Sequence, residues 1–249
     1  MNRFSQIGFY LILVLLLTLA SCEKGALFNS GEVVTREVLL QDDISIIEAN
    51  TMSEITLVQD TINKAIITCG ENLQPDIDLF VKENILHINN TIKYSWSRSY
   101  EKIKLELHLI RIPQLNIRKP TYITTRDTFK AEGFFLVDWG LFTELDVTLD
   151  VNGCALDVSS EDFGHYTIKG KTVNANFFGK GSSFIYAGEL QAQKCTVKQR
   201  SIGDIYVNVS DELTVSIETT GRVFYYGNPS RIIMKNTFSK DRLIHLTKK

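Results

Sequence analysis

Apolar and polar residues alternate along most of the chain beyond its first 22 positions. Ile103–Leu109 and Leu145–Val151 place an apolar side chain at every second residue. The same alternation is found at Glu37–Leu40, Ile44–Ile46, Ile77–Val81 and Ile85–Ile88. A period of two, rich in β-branched residues and interrupted by Gly, Asn and Asp, is typical of strands with one buried face. No convincing 3.6-residue period follows residue 22, so the pattern predicts an all-β protein.

The C-terminal half adds a degenerate repeat of about 20 residues. Each unit carries an apolar triplet, and the first members of these triplets lie 18, 21 and 18 residues apart. The triplets are Tyr166–Ile168, Phe184–Tyr186, Ile205–Val207 and Val223–Tyr225. Such a repeat favours stacked coils, in which parallel strands about 4.8 Å apart align like residues. An antiparallel β-sandwich remains the alternative.

Glycines stand shortly before these triplets, at Gly164, Gly181, Gly203 and Gly221. Glycine adopts a positive φ without steric cost, so these positions suit corners where the backbone needs that conformation. We therefore predict that the glycines mark the corners of the coils.

The N-terminus has the features of an export signal. Met1–Gln6 carries one side-chain charge, Arg3, and Ile7–Leu17 is almost wholly apolar but too short to cross a ~30 Å hydrocarbon core. The next residues, Leu19-Ala20-Ser21-Cys22, resemble the lipobox of bacterial lipoproteins. The resemblance implies cleavage of residues 1–21, a diacylglycerol on Cys22 and a lipidated tether over residues 22–32. The alternative is an ordinary secretory signal with a chance cysteine.

A lipidated Cys22 would attach the mature chain to a membrane, because buried acyl chains contribute about 0.8 kcal/mol per CH₂. Glu23 is not the aspartate that marks inner-membrane retention in some bacteria, so we expect a lipid-anchored cell-envelope protein, with the outer membrane favoured. The periplasmic and surface faces both stay open.

Composition excludes some partners and leaves the redox state open. Lys and Arg total 27 against 29 for Asp and Glu, so there is no basic excess for binding nucleic acid.

Three cysteines follow Cys22, at Cys69, Cys154 and Cys195, and none has a second ligand at metal spacing. We expect buried thiols, with one Cys154–Cys195 disulfide as the alternative.

A family resemblance emerges from the order of these features. An export signal is followed by an N-terminal β region ending at Ile85–Ile88, a strand pair over Ile103–Ile117, and Gly-x-x-Ile-x-Val units that close at Val223–Pro229. This order resembles the head-GIN domain family, named as auto-transporter adhesins. The resemblance spans residues 33–235 and leaves residues 236–249 as a basic C-terminal tail. The family's Gly-Ser-Gly-Asp turns are only partly kept, at Gly181-Ser182 and Gly203-Asp204.

The resemblance implies a right-handed parallel β-helix, or β-solenoid-like fold, with a more irregular N-terminal β region. It also implies a cell-envelope location. The adhesin label is a family name, and fold alone does not determine function.

Catalytic signatures are missing from the sequence. His87, His108, His165 and His245 have no nucleophile at a diagnostic spacing, and we expect no catalytic residue, metal or cofactor. One acidic cluster, Asp157, Glu161 and Asp162 with Lys169 and Lys171 nearby, leaves a polysaccharide-active enzyme as a less favoured alternative. Solvated turn acids explain the same residues.

Aromatic residues offer the better functional hint. Tyr94, Trp96, Arg98 and Tyr100 fall on one side of an extended chain and could hold a glycan or a surface protein. The alternative is a hairpin that caps the core.

Gly133–Phe142 is strongly apolar and could be a core strand, a protomer interface or a lipid-facing patch, with the core favoured.

The sequence therefore predicts a non-catalytic, lipid-anchored adhesin or glycan- or protein-binding module. The alternative is a periplasm-facing structural or assembly lipoprotein.

Overall fold

The computed structural model describes residues 30–41, 43–91, 103–161, 163–236 and 240–247. The structure is 70% strand with almost no helix, and its strands form a β-solenoid of about six turns. The predicted all-β, solenoid-like fold is confirmed. Within the described ranges, no helix has the length and apolar character needed to cross a bilayer.

Nine strands form the N-terminal part: β1 Val33–Leu39, β2 Ile46–Ala49, β3 Ser53–Gln59, β4 Lys64–Gly70, β5 Ile77–Lys82, β6 Ile85–Asn90, β7 Ile103–Leu109, β8 Gln114–Ile117 and β9 Thr121–Thr125. Seven more follow: β10 Phe129–Asp138, β11 Thr143–Val158, β12 Phe163–Ser201, β13 Ile205–Ile217, β14 Val223–Tyr226, β15 Arg231–Met234 and β16 Leu243–His245. Short 3₁₀ helices cover Gln74–Asp76 and Lys240–Arg242.

The longest strand, β12, spans 39 residues because its extended backbone continues around the corners of the coil. Its first part, to Phe178, pairs in parallel with β11, and its part from Ile185 pairs in parallel with β13. Each coil therefore stacks on the coil that precedes it by about 20 residues.

Two faces of the solenoid matter for the site. The first face contains β7, β3, β9, the beginning of β11, parts of β12, the beginning of β13, β14 and β16. The second face contains β6, β2, β8, β10, the end of β11, parts of β12, the end of β13 and β15.

The N-terminal coils are not stacked in chain order. On the first face β3 lies between β7 and β9, although β7 follows β3 by about 50 residues in sequence. Antiparallel strands close this end, with β4 and β1 beyond β7, and β5 beyond β6. The more irregular N-terminal β region is therefore an interleaved set of coils.

Alternation along the strands directs apolar side chains into the coil. Ile185, Ile205 and Val223 are fully buried and align on successive strands. The predicted triplets aligned Phe184 with Ile205, and this alignment is wrong by one residue. A shift of one position moves every side chain to the other face of a strand, so Phe184 points outward.

The corner glycines are required chiefly for close backbone approach. Gly181 has the predicted positive φ, of 64°, but Gly203 and Gly221 do not. A Cβ at Gly203 would lie 2.2 Å from the Ser183 carbonyl oxygen, and one at Gly221 would lie 2.2 Å from the Gly203 oxygen. Gly164 has no positive φ either, so the prediction of positive φ is confirmed at Gly181 alone of the four glycines.

The three cysteines in the described part of the chain are buried and free. Cys69, Cys154 and Cys195 form no disulfide, so the predicted buried thiols are confirmed and the Cys154–Cys195 bridge is not formed. Burial raises the pKa of the Cys154 thiol to about 12 and also raises the pKa of Cys195 and Cys69. All three behave as small apolar residues.

Two further segments are placed by the structure. In Gly133–Phe142, Phe134 and Leu136 are core residues, whereas Phe135 is 49% exposed and Phe142 65% exposed. The favoured core interpretation therefore describes one side of this segment only. At the C-terminus, β16 pairs with β14, so the solenoid extends into the segment assigned to a basic tail.

Candidate binding surface: an aromatic ladder on the first face

Several residues singled out in the sequence lie outside the described residues. These are Cys22 in the predicted lipobox, the row Tyr94, Trp96, Arg98 and Tyr100, and Asp162 of the acidic cluster. Lipidation of Cys22 and a ligand at the aromatic row stay predictions.

The rest of the acidic cluster is not assembled into one site. The lysines pair with acids on neighbouring coils, with Nζ-to-carboxylate distances of 3.0 Å for Lys169–Asp146, 3.2 Å for Lys171–Asp150 and 2.7 Å for Lys180–Glu161. Asp157 accepts a hydrogen bond of 2.9 Å from Ser159 Oγ. Among the described residues no group of three His, Cys, Asp or Glu side chains could hold a metal ion.

His108 has the most polar surroundings of the histidines. Its Nδ1 lies 2.7 Å from Asp60 Oδ2, and its Nε2 lies 3.6 Å from a Glu106 carboxylate that also binds Arg126. The hydrogen bond from His108 is the main cause that lowers the pKa of Asp60. The contacts are those of a surface charge network and include no nucleophile.

His165 instead belongs to an aromatic row that crosses the first face on its outer side. We call this row the aromatic ladder, and its members are Phe163, His165, Phe184, Tyr186, Tyr206 and Phe224. Ring centroids lie 4.8 Å apart for Phe163–His165, 5.3 Å for His165–Phe184, 6.5 Å for Phe184–Tyr186, 5.5 Å for Tyr186–Tyr206 and 4.7 Å for Tyr206–Phe224.

Strand register explains why the rings meet. Tyr186 pairs with Tyr206, and Tyr206 pairs with Phe224, on parallel strands. In-register parallel strands place corresponding side chains above one another at the strand spacing, about 4.8 Å, which suits stacked rings. The Tyr206 ring is inclined by 20° to Tyr186 and by 9° to Phe224, so both of its faces are covered.

The ladder remains accessible to solvent along its length. Phe163 is 43% exposed and Tyr186 40% exposed, and Phe142, 6.4 Å from Phe163, extends the aromatic surface by one more ring. Scattered exposed rings are ordinary, but a contiguous apolar row bordered by polar residues marks interaction sites.

A groove of about 590 Å³ runs beside the ladder. Its lining comprises Thr167, Tyr186, Gly188, Glu189, Tyr206, Tyr226 and Thr247. Gly188 leaves room for the Tyr226 ring, since a Cβ there would lie 2.9 Å from Tyr226 Cε2. We call this the tyrosine groove.

Electrostatics in the groove favour the neutral form of the Tyr206 phenol. Partial burial, together with the nearby Asp204 carboxylate, raises the pKa of the Tyr206 hydroxyl. Arg222 is held by Asp204, with Nη2 to Oδ2 at 2.7 Å. Tyr206 therefore offers a protonated hydroxyl as both donor and acceptor.

A family model whose description is "Putative auto-transporter adhesin, head GIN domain" matches residues 44–229. The chain belongs to this family. The family membership predicted from the sequence resemblance is confirmed, and the ladder lies inside the matched region of this head GIN protein. No curated protein matches the chain at a significant level.

Solved structures share the fold of this head GIN chain. A putative adhesin from Bacteroides fragilis has a TM-score of 0.72 at 18% identity, covering 87% of this chain and 95% of its own. A putative adhesin from Parabacteroides distasonis has a TM-score of 0.60 at 18% identity, with coverages of 87% and 98%. A putative lipid binding protein from the same species has a TM-score of 0.57 at 17% identity, with coverages of 87% and 97%. These likenesses show the fold alone.

The sequence contained a signal for the ladder that the triplet alignment obscured. Aligning the buried residues Ile185, Ile205 and Val223 places Tyr186, Tyr206 and Phe224 in one outward column. The triplets had instead aligned Phe184 with buried residues. The ladder was missed because of that one-residue shift.

Proposed function

We propose that this protein is a lipid-anchored, non-catalytic adhesin-type module of the cell envelope that holds a glycan or protein ligand against the aromatic ladder. The observation that carries the proposal is the continuous row of outward-facing rings on one face of a rigid solenoid. Aromatic side chains supply large contact areas with little loss of conformational entropy, which favours their use at binding surfaces.

Membership of an adhesin family supports a cell-envelope location. A lipid on Cys22 would supply the attachment, and the first strand, β1, begins at Val33, about ten residues later. A short tether would hold the solenoid close to the membrane. Replacing Cys22 with Ser should abolish labelling by radioactive palmitate and release the chain from the membrane fraction.

A binding role is also supported by the ion pairs of the lysines near the acidic cluster. The lysines beside the acidic cluster are engaged in ion pairs with Asp146 and Asp150, which fits a stable, charge-balanced surface better than a catalytic cleft. Surface ion pairs of this kind contribute about 0–1 kcal/mol each, and they pair opposite charges on neighbouring coils.

Attachment of cells tests the proposal. Cells that produce the full chain would be applied to surfaces coated with mucin, fibronectin or collagen. The variant Tyr186→Ser with Phe184→Ser removes two rings of the ladder. Phe135→Ser is the matched control, because Phe135 is an aromatic residue of similar exposure on the second face.

We expect wild type and Phe135→Ser to attach to at least one surface, and the ladder variant to lose attachment. Equal attachment by all three chains would contradict the proposal. Protease shaving of intact cells adds a second readout. Protection that ends only when the outer membrane is opened would favour the periplasmic structural role instead.

A further inference from the structure

We infer that the tyrosine groove is a binding site for a neutral glycan, held mainly by hydrogen bonds with phenol hydroxyls and by hydrogen bonds that the Glu189 carboxylate accepts. The inference rests on the proposed binding function and specifies the ligand class and the site. Four features of the groove lead to it.

The first feature is that the ring faces are already occupied. Tyr206 is covered by Tyr186 on one side and by Phe224 on the other, at centroid distances of 5.5 and 4.7 Å. A ligand that approaches from solvent therefore meets ring edges and hydroxyl groups. Stacking on a free ring face, or a cation over a ring face, is not available at Tyr206.

The second feature is the unused hydrogen-bonding capacity of the lining. Within the described part of the chain, the hydroxyls of Tyr186 and Tyr206 and the carboxylate of Glu189 make no hydrogen bond. Phenols can donate and accept, and a carboxylate accepts several hydrogen bonds. A ligand with many hydroxyl groups satisfies both kinds of partner.

The third feature is charge. Lys169, the cation that acts on Glu189, is held by Asp146 at 3.0 Å, and Arg222 is held by Asp204. Among the described residues, Glu189 therefore adds an acidic charge to the groove, while Lys169 and Arg222 each already have an acidic partner. This charge disfavours uronic acids and sulfated sugars relative to a neutral chain.

The fourth feature is size and continuity. At about 590 Å³ the groove falls within the range of ligand sites, roughly 300–1,000 Å³. A second groove of about 610 Å³ follows on the same coils, with Asn152, Gln191, Gln193 and Asn208 in its lining. Glu189 and Gln191 are two residues apart, at most about 7 Å in an extended chain, so an oligosaccharide can reach both grooves.

The test uses calorimetric titration of the full-length chain in a detergent that lacks a sugar headgroup. The probes are maltohexaose, cellohexaose, laminarihexaose and mannohexaose, with a hyaluronan octasaccharide as the anionic probe. The key variant is Tyr186→Phe with Tyr206→Phe, which keeps both rings and the ladder but removes both hydroxyls. Tyr122→Phe is the control, because Tyr122 is an exposed tyrosine outside the groove.

We expect at least one neutral hexasaccharide to bind, and its Kd to rise about tenfold or more in the double Phe variant, because each lost hydrogen bond weakens binding. Glu189→Gln should weaken binding of the same sugar, and the Tyr122→Phe variant should bind it as tightly as wild type. Failure of all four neutral sugars to bind, tighter binding of hyaluronan, or an unchanged Kd in the double Phe variant would each overturn the inference.

The two proposals can fail separately. If the double Phe variant keeps its sugar affinity while Tyr186→Ser with Phe184→Ser loses cell attachment, the glycan groove is wrong and the ladder remains the binding surface. If neither variant changes any binding or attachment, both proposals fail.

Discussion

The two ends of the solenoid use similar strands but different stacking orders. In the C-terminal half each coil pairs with its immediate neighbour in sequence, as Ile205 does with Ile185 and Val223. In the N-terminal half the neighbours come from distant segments, as where the hydroxyls of Thr56 and Thr124 lie 3.3 Å apart. Only sequential coils repeat a residue type at a nearly constant offset in sequence.

This difference explains where the ladder lies. On the first face, the outward column of the N-terminal coils carries Glu54, Tyr122 and Glu144, so that a single aromatic ring lies between two carboxylates. The corresponding C-terminal positions carry stacked rings. A surface that binds through repeated aromatic residues therefore belongs to the regular half, and the interleaved half closes the end of the solenoid.

The largest effect is expected at the junction of the two halves. Asp138, at the end of β10, is 1% exposed and accepts hydrogen bonds from Tyr166 Oη at 2.5 Å and from Thr143 Oγ1 at 3.1 Å. Tyr166→Phe deprives this buried carboxylate of a donor and should lower the free energy of unfolding by about 2–3 kcal/mol. Urea denaturation measures the change.

Tyr122→Phe serves as the control for that substitution, and its effect should stay within about 0.5 kcal/mol because the side chain is partly exposed on the surface. Equal stability of the Tyr166→Phe chain and wild type would mean that Asp138 does not depend on the phenol.

A somewhat smaller effect is expected at the corners of the regular half. Gly203→Ala places a Cβ against the Ser183 carbonyl oxygen, and the overlap should cost about 1–3 kcal/mol. Gly153→Ala is the matched control, since its nearest neighbour is Phe135 Cζ at 3.8 Å. Thermal unfolding of both variants should show a lower Tm for Gly203→Ala alone. A lower Tm in both would refute close packing as the cause.

Thiol labelling compares the two halves directly. Cys69 lies on β4 just beyond Thr68, the last residue of β4 that pairs with β7, and its partner is Val34 of the edge strand β1, which among the described strands pairs only with β4. Cys154 and Cys195 lie within the stacked coils. Edge strands open more readily than central ones. Iodoacetamide under native conditions should therefore modify Cys69 before the other two, as measured by peptide mass spectrometry. Earlier labelling of Cys154 or Cys195 would show that the regular half opens first.

The smallest effect concerns acid stability. Because the His108 hydrogen bond lowers the folded pKa of Asp60 below its ordinary value of 3.8, the contact stabilises the fold above about pH 4. That contribution is lost as the pH falls through the lower, folded pKa. His108→Gln should therefore reduce the loss of stability in this acidic range, measured as the urea midpoint between pH 6 and pH 2.5.

Arg200→Gln makes the equivalent change in the C-terminal half, because the Arg200 hydrogen bond lowers the pKa of Glu218 below 4.5. In both variants the urea midpoint should fall less steeply than in wild type as the pH is lowered. A His108→Gln profile that follows wild type would show that the Asp60 contact is not coupled to folding.

Much of the fold could be predicted from the sequence because alternation reports which residues are buried. Strands such as β7 and β11 follow directly from their period of two. The interleaving of β3 between β7 and β9 could not be predicted, because pairing between distant segments leaves no repeat. The ladder depended on register, and register changes with a single residue at Phe184.

The claim that the ligand lies on the ladder side of the regular half is tested most directly by hydroxyl-radical footprinting. The full-length chain would be exposed to radicals with and without the hexasaccharide that binds best, and side-chain oxidation would be measured by mass spectrometry. We predict that ligand protects Tyr186, Tyr206 and Tyr226 and leaves Phe135 and Trp139 unchanged. Protection of Phe135 or Trp139 with no change at the tyrosines would contradict the account.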